Sequence, residues 1–133
     1  MVQYRWSTLD QWTKKTERRI DAVLKDATQS VIAVAQVSRD KGGRMPVITG
    51  NLRNSLESSI AGGAKVDGEE SYILVAGNMK GGDLATFTWT AEYAAAVNNG
   101  NRGRPGAHFV EGAVDQWPAI VRASIRKAKV AVG

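Results

Sequence analysis

The longest regular pattern of apolar and polar residues in the chain has a helical period. From Ser7 to about Arg39, apolar side chains recur at intervals of three and four residues with Lys and Arg between them, which predicts an amphipathic helix. These positions are Leu9, Trp12, Ile20, Val23, Leu24, Ala27, Val31, Val34 and Ala35. Such a helix is about 45–50 Å long, more than one small domain needs. Either part of it packs against a neighbouring copy, or it bends over its own sheet.

The helical pattern stops at Pro46, which forbids helical continuation and favours extended backbone before it. Thr49 then fits a helix cap, because its hydroxyl accepts a hydrogen bond from a backbone N–H two or three residues on. Gly50 gives the chain freedom to turn into a short helix that carries Leu52 and Ser55. The segment from Pro46 to Ser55 therefore separates the helical pattern from the alternating pattern that follows.

Alternation of apolar and polar residues predicts the strands that follow. Residues 56–60 alternate, and Val66 is expected to resume pairing after a loop. Residues 71–76 are apolar on both faces, which predicts the central strand of a sheet. Residues 85–90 alternate cleanly and predict a half-buried antiparallel strand with Phe87 and Trp89 on one face.

Short elements are predicted between the last strand and the closing helix. Residues 91–97 read as a short helix, and residues 101–107 are rich in Gly and turn formers, which indicates an exposed irregular loop. Tyr93 and Phe109 are interpreted as a core pair that pins two helices to the sheet, each contributing about 1.5–3 kcal/mol by burial.

The pattern of elements predicts an α+β fold in one domain, residues 1–133. A long amino-terminal helix and a loop (1–44) precede a small antiparallel sheet of three or four strands with short helices and loops (45–107). The C-terminal helix (108–133) is expected to pack on the sheet. Pro118 either kinks this helix or starts a second one.

The composition and motifs give no support for catalysis or for contact with a membrane. Without cysteine the chain has no disulfide or thiolate, and the first twelve residues carry charges where a signal peptide has an apolar core. No apolar run approaches the length of a membrane span, so we expect a soluble protein made in the cytoplasm. The sequence contains neither a nucleophile elbow nor a phosphate-binding loop. We therefore expect no enzyme, no cofactor and no membrane contact.

One group of residues has the spacing of metal ligands. His108, Glu111 and Asp115 are three and four residues apart and would share a helix face. One histidine and two carboxylates make a poor site, and acidic residues near a helix start are favourable without a metal. We therefore predict no metal site.

The net charge of +5 is unevenly distributed. Residues 1–46 hold nine basic and five acidic side chains, residues 47–107 five and six, and residues 108–133 four and two. Positive charge therefore lies on the terminal helices, where solvated faces and the helix dipole explain most of it.

The segment Arg102-Gly103-Arg104-Pro105 resembles the core of an AT-hook, an extended peptide that enters the minor groove of DNA. Its flanks lack further basic residues, so affinity for DNA is expected to be weak. We favour the alternative that Arg102 and Arg104 meet an acidic neighbouring subunit. Arg53 is expected to brace the loop from Asn98 to Arg104.

Several of these residues recur in a fixed order in one protein family. Between Pro46 and Ala113 the chain resembles the tail-completion (head-tail joining, minor tail protein Z-like) family of long-tailed phages. The matching residues are Pro46, Thr49, Gly50, Leu52, Arg53, Ser55, Tyr93, Ala94, Gly100, Arg104, Pro105 and Phe109. The chain departs from the family pattern at Ile48, where an acidic residue is common, and at Asn98-Asn99, where a Glu is usual.

The resemblance implies a structural virion protein in the neck of a tailed phage or a phage-derived gene-transfer particle. Such a protein assembles in the host cytoplasm into a ring, expected to be a homo-oligomer of six. Its implied partners are the tail tube or tail terminator protein on one side and the head connector or stopper protein on the other, with passing contact with DNA. The alternative interpretation is a small basic DNA-binding protein that uses the loop at residues 102–105 and the carboxy-terminal lysines.

Overall fold

The computed structural model describes residues 6–47 and 50–132, so Ile48 and Thr49, with its predicted capping role, lie outside the described residues. The elements confirm the predicted α+β class. A single 3₁₀ turn, Arg39–Lys41, follows the first helix. The elements are α1 (Trp6–Ala35), α2 (Asn51–Asn54), β1 (Leu56–Ile60), β2 (Val66–Asp67), α3 (Ser71–Gly77), β3 (Ala85–Trp89), α4 (Ala94–Asn99), β4 (Gly100–Asn101), β5 (Arg104–Pro105), α5 (Phe109–Val114) and α6 (Trp117–Val132).

The main sheet has three antiparallel strands in the order β2-β1-β3. Leu56 lies opposite Trp89 and Ser58 opposite Phe87, so the alternation that predicted β1 and β3 also sets their register. Thr86 and Thr88, which alternate with Phe87 and Trp89, are exposed. A separate two-stranded ribbon is formed by β4 and β5.

The prediction of a central strand at residues 71–76 is wrong, because this segment forms helix α3. A short run of apolar residues has the same composition in a buried strand and in a helix, so periodicity does not distinguish them. Ser71 and Val75, one helical turn apart, are buried, and the hydroxyl of Ser71 lies 2.8 Å from that of Ser58 in β1. Gln29 of α1 donates a hydrogen bond to the carbonyl of Ile73. The central position in the sheet belongs to β1.

The closing segment consists of two helices, so Pro118 starts a second helix and does not kink a single one. α5 ends before Asp115, and Pro118 lies in the first turn of α6, where its missing N–H costs nothing. α6 packs along α1. Its contacts include Ser124, whose hydroxyl donates to Asp26 (2.6 Å), and Lys127, which forms an ion pair with Asp26 (3.4 Å).

The closing segment meets the main sheet through Phe109. Its ring packs edge-on against Trp89 of β3, with centroids 5.1 Å apart, and only 2 % of the residue is exposed. Tyr93 does not join this contact and is 45 % exposed, so the predicted pairing of Tyr93 with Phe109 is wrong. α4 begins after Tyr93, three residues later than predicted, and Tyr93 is not one of the core residues.

One core joins α1, α2, the sheet and α5. Its buried apolar residues are Ala35, Met45, Leu52, Ala94, Ala107, Phe109 and Ala113. The buried Gln36 lies at the edge of this core. Its side-chain nitrogen donates to the carbonyls of Arg53 and Glu69, and its side-chain oxygen accepts a hydrogen bond from the indole N–H of Trp89. No helix in the described part of the chain is long and apolar enough to cross a membrane.

Candidate functional site

The segment that was predicted to be an irregular loop is a tight hairpin. β4 and β5 are joined by Arg102 and Gly103, whose φ angles of 49° and 79° have the sign that a two-residue type I′ turn requires. Arg102 is an unusual occupant, since left-handed backbone costs a non-Gly residue about 1–2 kcal/mol. An AT-hook binds DNA as an extended peptide, and this segment is instead folded back on itself.

The hairpin is held against the end of α4. The carbonyl of Val97 accepts a hydrogen bond from the N–H of Ala107 (2.8 Å), and that of Asn98 accepts one from the N–H of His108. Gly100 and Gly106 permit this close approach, because a Cβ atom at Gly100 would lie 2.6 Å from the carbonyl oxygen of Arg104.

A cleft of about 540 Å³ opens between this hairpin and the turn that follows α1. We call it the arginine cleft, because three of its lining residues are arginines and none is acidic. Its lining, taken from the described residues, consists of Arg39, Pro46, Ala96, Val97, Asn101, Arg102, Arg104 and Pro105.

Two of the three guanidinium groups are unpaired. The side chains of Arg102 and Arg104 have no hydrogen-bond or ion-pair partner within the described part of the chain. Arg39 donates from Nε to the carbonyl of Arg44 (3.2 Å), which orients its side chain. The cleft can therefore bind an anion without breaking an existing ion pair.

Arg53 does not belong to this cleft, so the predicted brace to the loop from Asn98 to Arg104 is wrong. Its guanidinium lies 3.9 Å from the carboxylate of Glu69, beside the start of α3. This pair is partly exposed and therefore contributes little to stability.

Several of the residues that carry the family resemblance shape or stabilise the fold. Gly50 has a φ of 81° and leads into α2, whose Leu52 is buried in the core. The hydroxyl of Ser55 donates to the carbonyl of Leu52 (2.7 Å) and closes this short helix. Pro46 has a second role, because it also lines the arginine cleft.

Asn98 connects α4 to α5. Its side-chain oxygen accepts a hydrogen bond from the N–H of Val110 (3.1 Å), the donor that a helix cap normally satisfies, while His108, the residue before α5, makes no such bond. Its amide nitrogen donates to the carboxylate of Glu111 (2.9 Å). A backbone hydrogen bond at Glu111 itself, followed by this amide, holds the pKa of that carboxyl below its ordinary value.

Replacing Asn98 with Ala is expected to lower the free energy of unfolding by about 1–3 kcal/mol, because the N–H of Val110 would lose its acceptor. Asn99 is the matched control: it is exposed, and we expect Asn99→Ala to cost less than about 0.5 kcal/mol. Urea unfolding followed by circular dichroism would measure both. Equal effects of the two substitutions would contradict a capping role for Asn98.

Metal ligands are not assembled around the only histidine. His108 Nδ1 lies 3.6 Å from Glu111 Oε2, and Asp115 lies beyond the end of α5. Across residues 6–47 and 50–132, no three His, Asp or Glu side chains are grouped as a metal site would require.

A second surface, the apolar groove, runs between α1 and α6. It encloses about 480 Å³, and its lining among the described residues is apolar except for one arginine: Arg19, Ile20, Val23, Leu24, Ala27, Trp117, Val121 and Ile125. Ile20, Trp117 and Ile125 are exposed along it. Contiguous apolar surface of this kind is typical of sites that contact other proteins.

The amino-terminal turns of α1 lie outside the apolar groove, whose lining on α1 begins at Arg19 among the described residues. Residues 10–14 are all exposed, and Trp12 is 67 % exposed.

Sequence reasoning missed the place of Arg39 in the cleft, the capping role of Asn98 and the open state of the groove. Arg39 carried no signal that linked it to Arg102, because only the fold brings them together. Asn98 was noted only as a departure from the family pattern. The sequence indicated one side of the groove, since Trp117, Val121 and Ile125 recur at helical spacing. The same spacing is typical of a helix face that is fully covered, so the sequence did not show that the groove is open.

The chain matches no model of a known protein family, and no curated protein and no solved structure is significantly similar to it.

Proposed function

We propose that the protein is a structural subunit of the neck of a tailed phage or phage-like particle, where a ring of copies completes the tail and joins it to the head. The order of the residues from Pro46 to Ala113 supports this proposal, as it is the order seen in the tail-completion family. On this proposal the protein works by assembly and not by catalysis, first in the host cytoplasm and then in the virion.

The observation that carries the proposal is the pairing of an open groove with an exposed helical arm. The first turns of α1 present Trp12 to solvent, although a helix that is exposed on all sides gains little stability from its own domain. The apolar groove offers uncovered apolar surface on the same molecule. We infer that the arm of one copy occupies the groove of the next.

This arrangement favours a ring. Arm and groove are different surfaces, so the contact is heterologous. A growing chain of copies keeps one free arm at one end and one free groove at the other until the rotation between copies closes it into a ring. Closure by six copies, with the tail tube or terminator protein on one face and the head connector or stopper protein on the other, follows the family resemblance.

The proposal is tested with particles produced without this gene. We expect DNA-filled heads beside detached tails in negative-stain micrographs, and we expect purified protein to restore joined particles. Ile125→Glu is expected to form no ring in light scattering and to restore no joining, because it places a charge in the groove, where Ile125 is 39 % exposed.

Val130→Glu is the matched control, since it adds the same charge to the same helix at a residue that is 87 % exposed and does not line the groove. It is expected to form rings and restore joining like the wild-type protein. Normally tailed particles from the deletion would remove the proposed role, and a ring that tolerates Ile125→Glu would remove the groove from the interface.

A further inference from the structure

We propose that the arginine cleft binds an acidic peptide segment of a partner protein. In this complex, carboxylates of the segment pair with Arg102 and Arg104, and its aliphatic atoms lie on Pro46 and Val97. The inference concerns a single copy of the chain and does not depend on ring formation or on a role in a phage neck.

The charges of the cleft argue for an anionic ligand. Some basic side chains elsewhere in the described chain lie beside a carboxylate, as Lys65 does beside Glu57 and Lys127 beside Asp26. The arginine cleft instead collects three cations with no carboxylate among its lining residues. Mutual repulsion of like charges disfavours this arrangement in the free protein, and a bound anion relieves it.

The backbone at the hairpin tip supports a binding role. Arg102 holds a left-handed conformation that Gly or Asn adopts at lower cost, and its side chain has no internal partner to stabilise it there. Conformations of this kind cluster at ligand sites, where the bound molecule makes use of the side chain.

The rest of the lining favours a peptide over a nucleic acid. Pro46, Ala96, Val97 and Pro105 offer aliphatic surface, and no aromatic ring among the lining residues offers a platform on which bases stack. Strong binding of a phosphate backbone draws on about 6–10 contacts spread along the strand. Three arginines in one cleft instead suit one or two carboxylates, which the planar guanidinium group binds in a bidentate manner.

The test is fluorescence anisotropy with a labelled eight-residue peptide of alternating Glu and Leu, at protein concentrations below those that support oligomers. Duplex and single-stranded oligonucleotides with the same label, each long enough to span the cleft, are the comparison. We expect the wild-type protein to bind the peptide more tightly than either oligonucleotide. Each of Arg104→Gln and Arg102→Asn is expected to raise the Kd for the peptide by about tenfold, the equivalent of one charge-assisted hydrogen bond.

Two controls separate recognition from folding. Asn tolerates the left-handed backbone at residue 102, so Arg102→Asn removes the charge while keeping the hairpin, and its thermal unfolding should match or exceed that of the wild-type protein. Arg122→Gln removes an exposed arginine of α6 that does not line the cleft, and its Kd should stay within about twofold of the wild-type value.

Three outcomes would overturn the inference. The wild-type protein could leave the peptide unbound, or the two cleft variants could bind it as tightly as Arg122→Gln does. An oligonucleotide that binds more tightly than the peptide, and that loses affinity in the cleft variants alone, would identify a nucleic-acid site in place of a peptide site.

Discussion

Replacing Phe109 with Ala is expected to lower the free energy of unfolding by about 3–5 kcal/mol, the usual cost of removing a fully buried aromatic side chain. Phe109 is 2 % exposed and lies in the core beside Ala35 and Met45. The substitution leaves a cavity and also removes the edge-on contact with Trp89, which contributes about 0.5–1.5 kcal/mol beyond burial and is part of that total. Because native domains have a total free energy of unfolding of only about 5–15 kcal/mol, this loss is a large fraction of the whole.

Tyr93→Ala is the matched control for Phe109→Ala. Because Tyr93 is 45 % exposed and lies outside the core, we expect it to cost less than about 1 kcal/mol. Urea unfolding monitored by tryptophan fluorescence would report both, since Trp89 senses the loss of its neighbour directly. Similar costs for the two substitutions would restore the interpretation in which Tyr93 and Phe109 form a core pair.

Replacing Gly106 with Ala is expected to cost about 3 kcal/mol and to disrupt the arginine cleft. An added Cβ atom would overlap the carbonyl oxygen of Asn98 and would lie 2.7 Å from the carbonyl carbon of Asn99 and 2.8 Å from the nitrogen of Gly100. These are backbone atoms and do not rotate aside, so the hairpin must separate from α4. Peptide binding by the cleft should be lost together with stability.

Gly77→Ala tests whether the effect of Gly106→Ala is local crowding. Gly77 is exposed in the last turn of α3, and the nearest atom to an added Cβ is a side-chain nitrogen of Gln29 at 3.6 Å. Alanine favours helix, so we expect a change between zero and a gain of about 1 kcal/mol. Thermal unfolding of both variants gives the comparison. A Gly106→Ala protein as stable as Gly77→Ala, with peptide binding unchanged, would contradict the close packing of hairpin and helix.

Local patterns predicted most elements because their periods differ strongly from one another. The helical spacing of α1 and the alternation of β3 each extend over enough residues to exclude the other structure. The six residues 71–76, which form most of α3, are too few for this distinction. The hairpin was missed because its turn uses Arg102, whereas Asn, the usual signal for a type I′ turn, stands one residue earlier at Asn101.

Prediction of the candidate sites was limited in a similar way. Residues close together in the sequence were identified, and contacts between distant segments were not. Arg102 and Arg104 were predicted as interaction residues because residues 102–105 resemble an AT-hook core, and the structure places both in the lining of one cleft. Arg39 and Pro46 were not predicted to be their neighbours, and Arg53 was wrongly assigned to the same loop. Each of these positions depends on how α1, α4 and the hairpin pack, and no local pattern encodes such a distance.

By itself the sequence determined the class of fold, the long first helix and the strands β1 and β3. These features depend on backbone preferences and on the burial of one face, which operate between residues a few positions apart. Tertiary structure alone decided that three arginines line one cleft and that the groove between α1 and α6 stays open. Both depend on contacts between distant segments, where the whole core sets which side chains meet and which remain exposed.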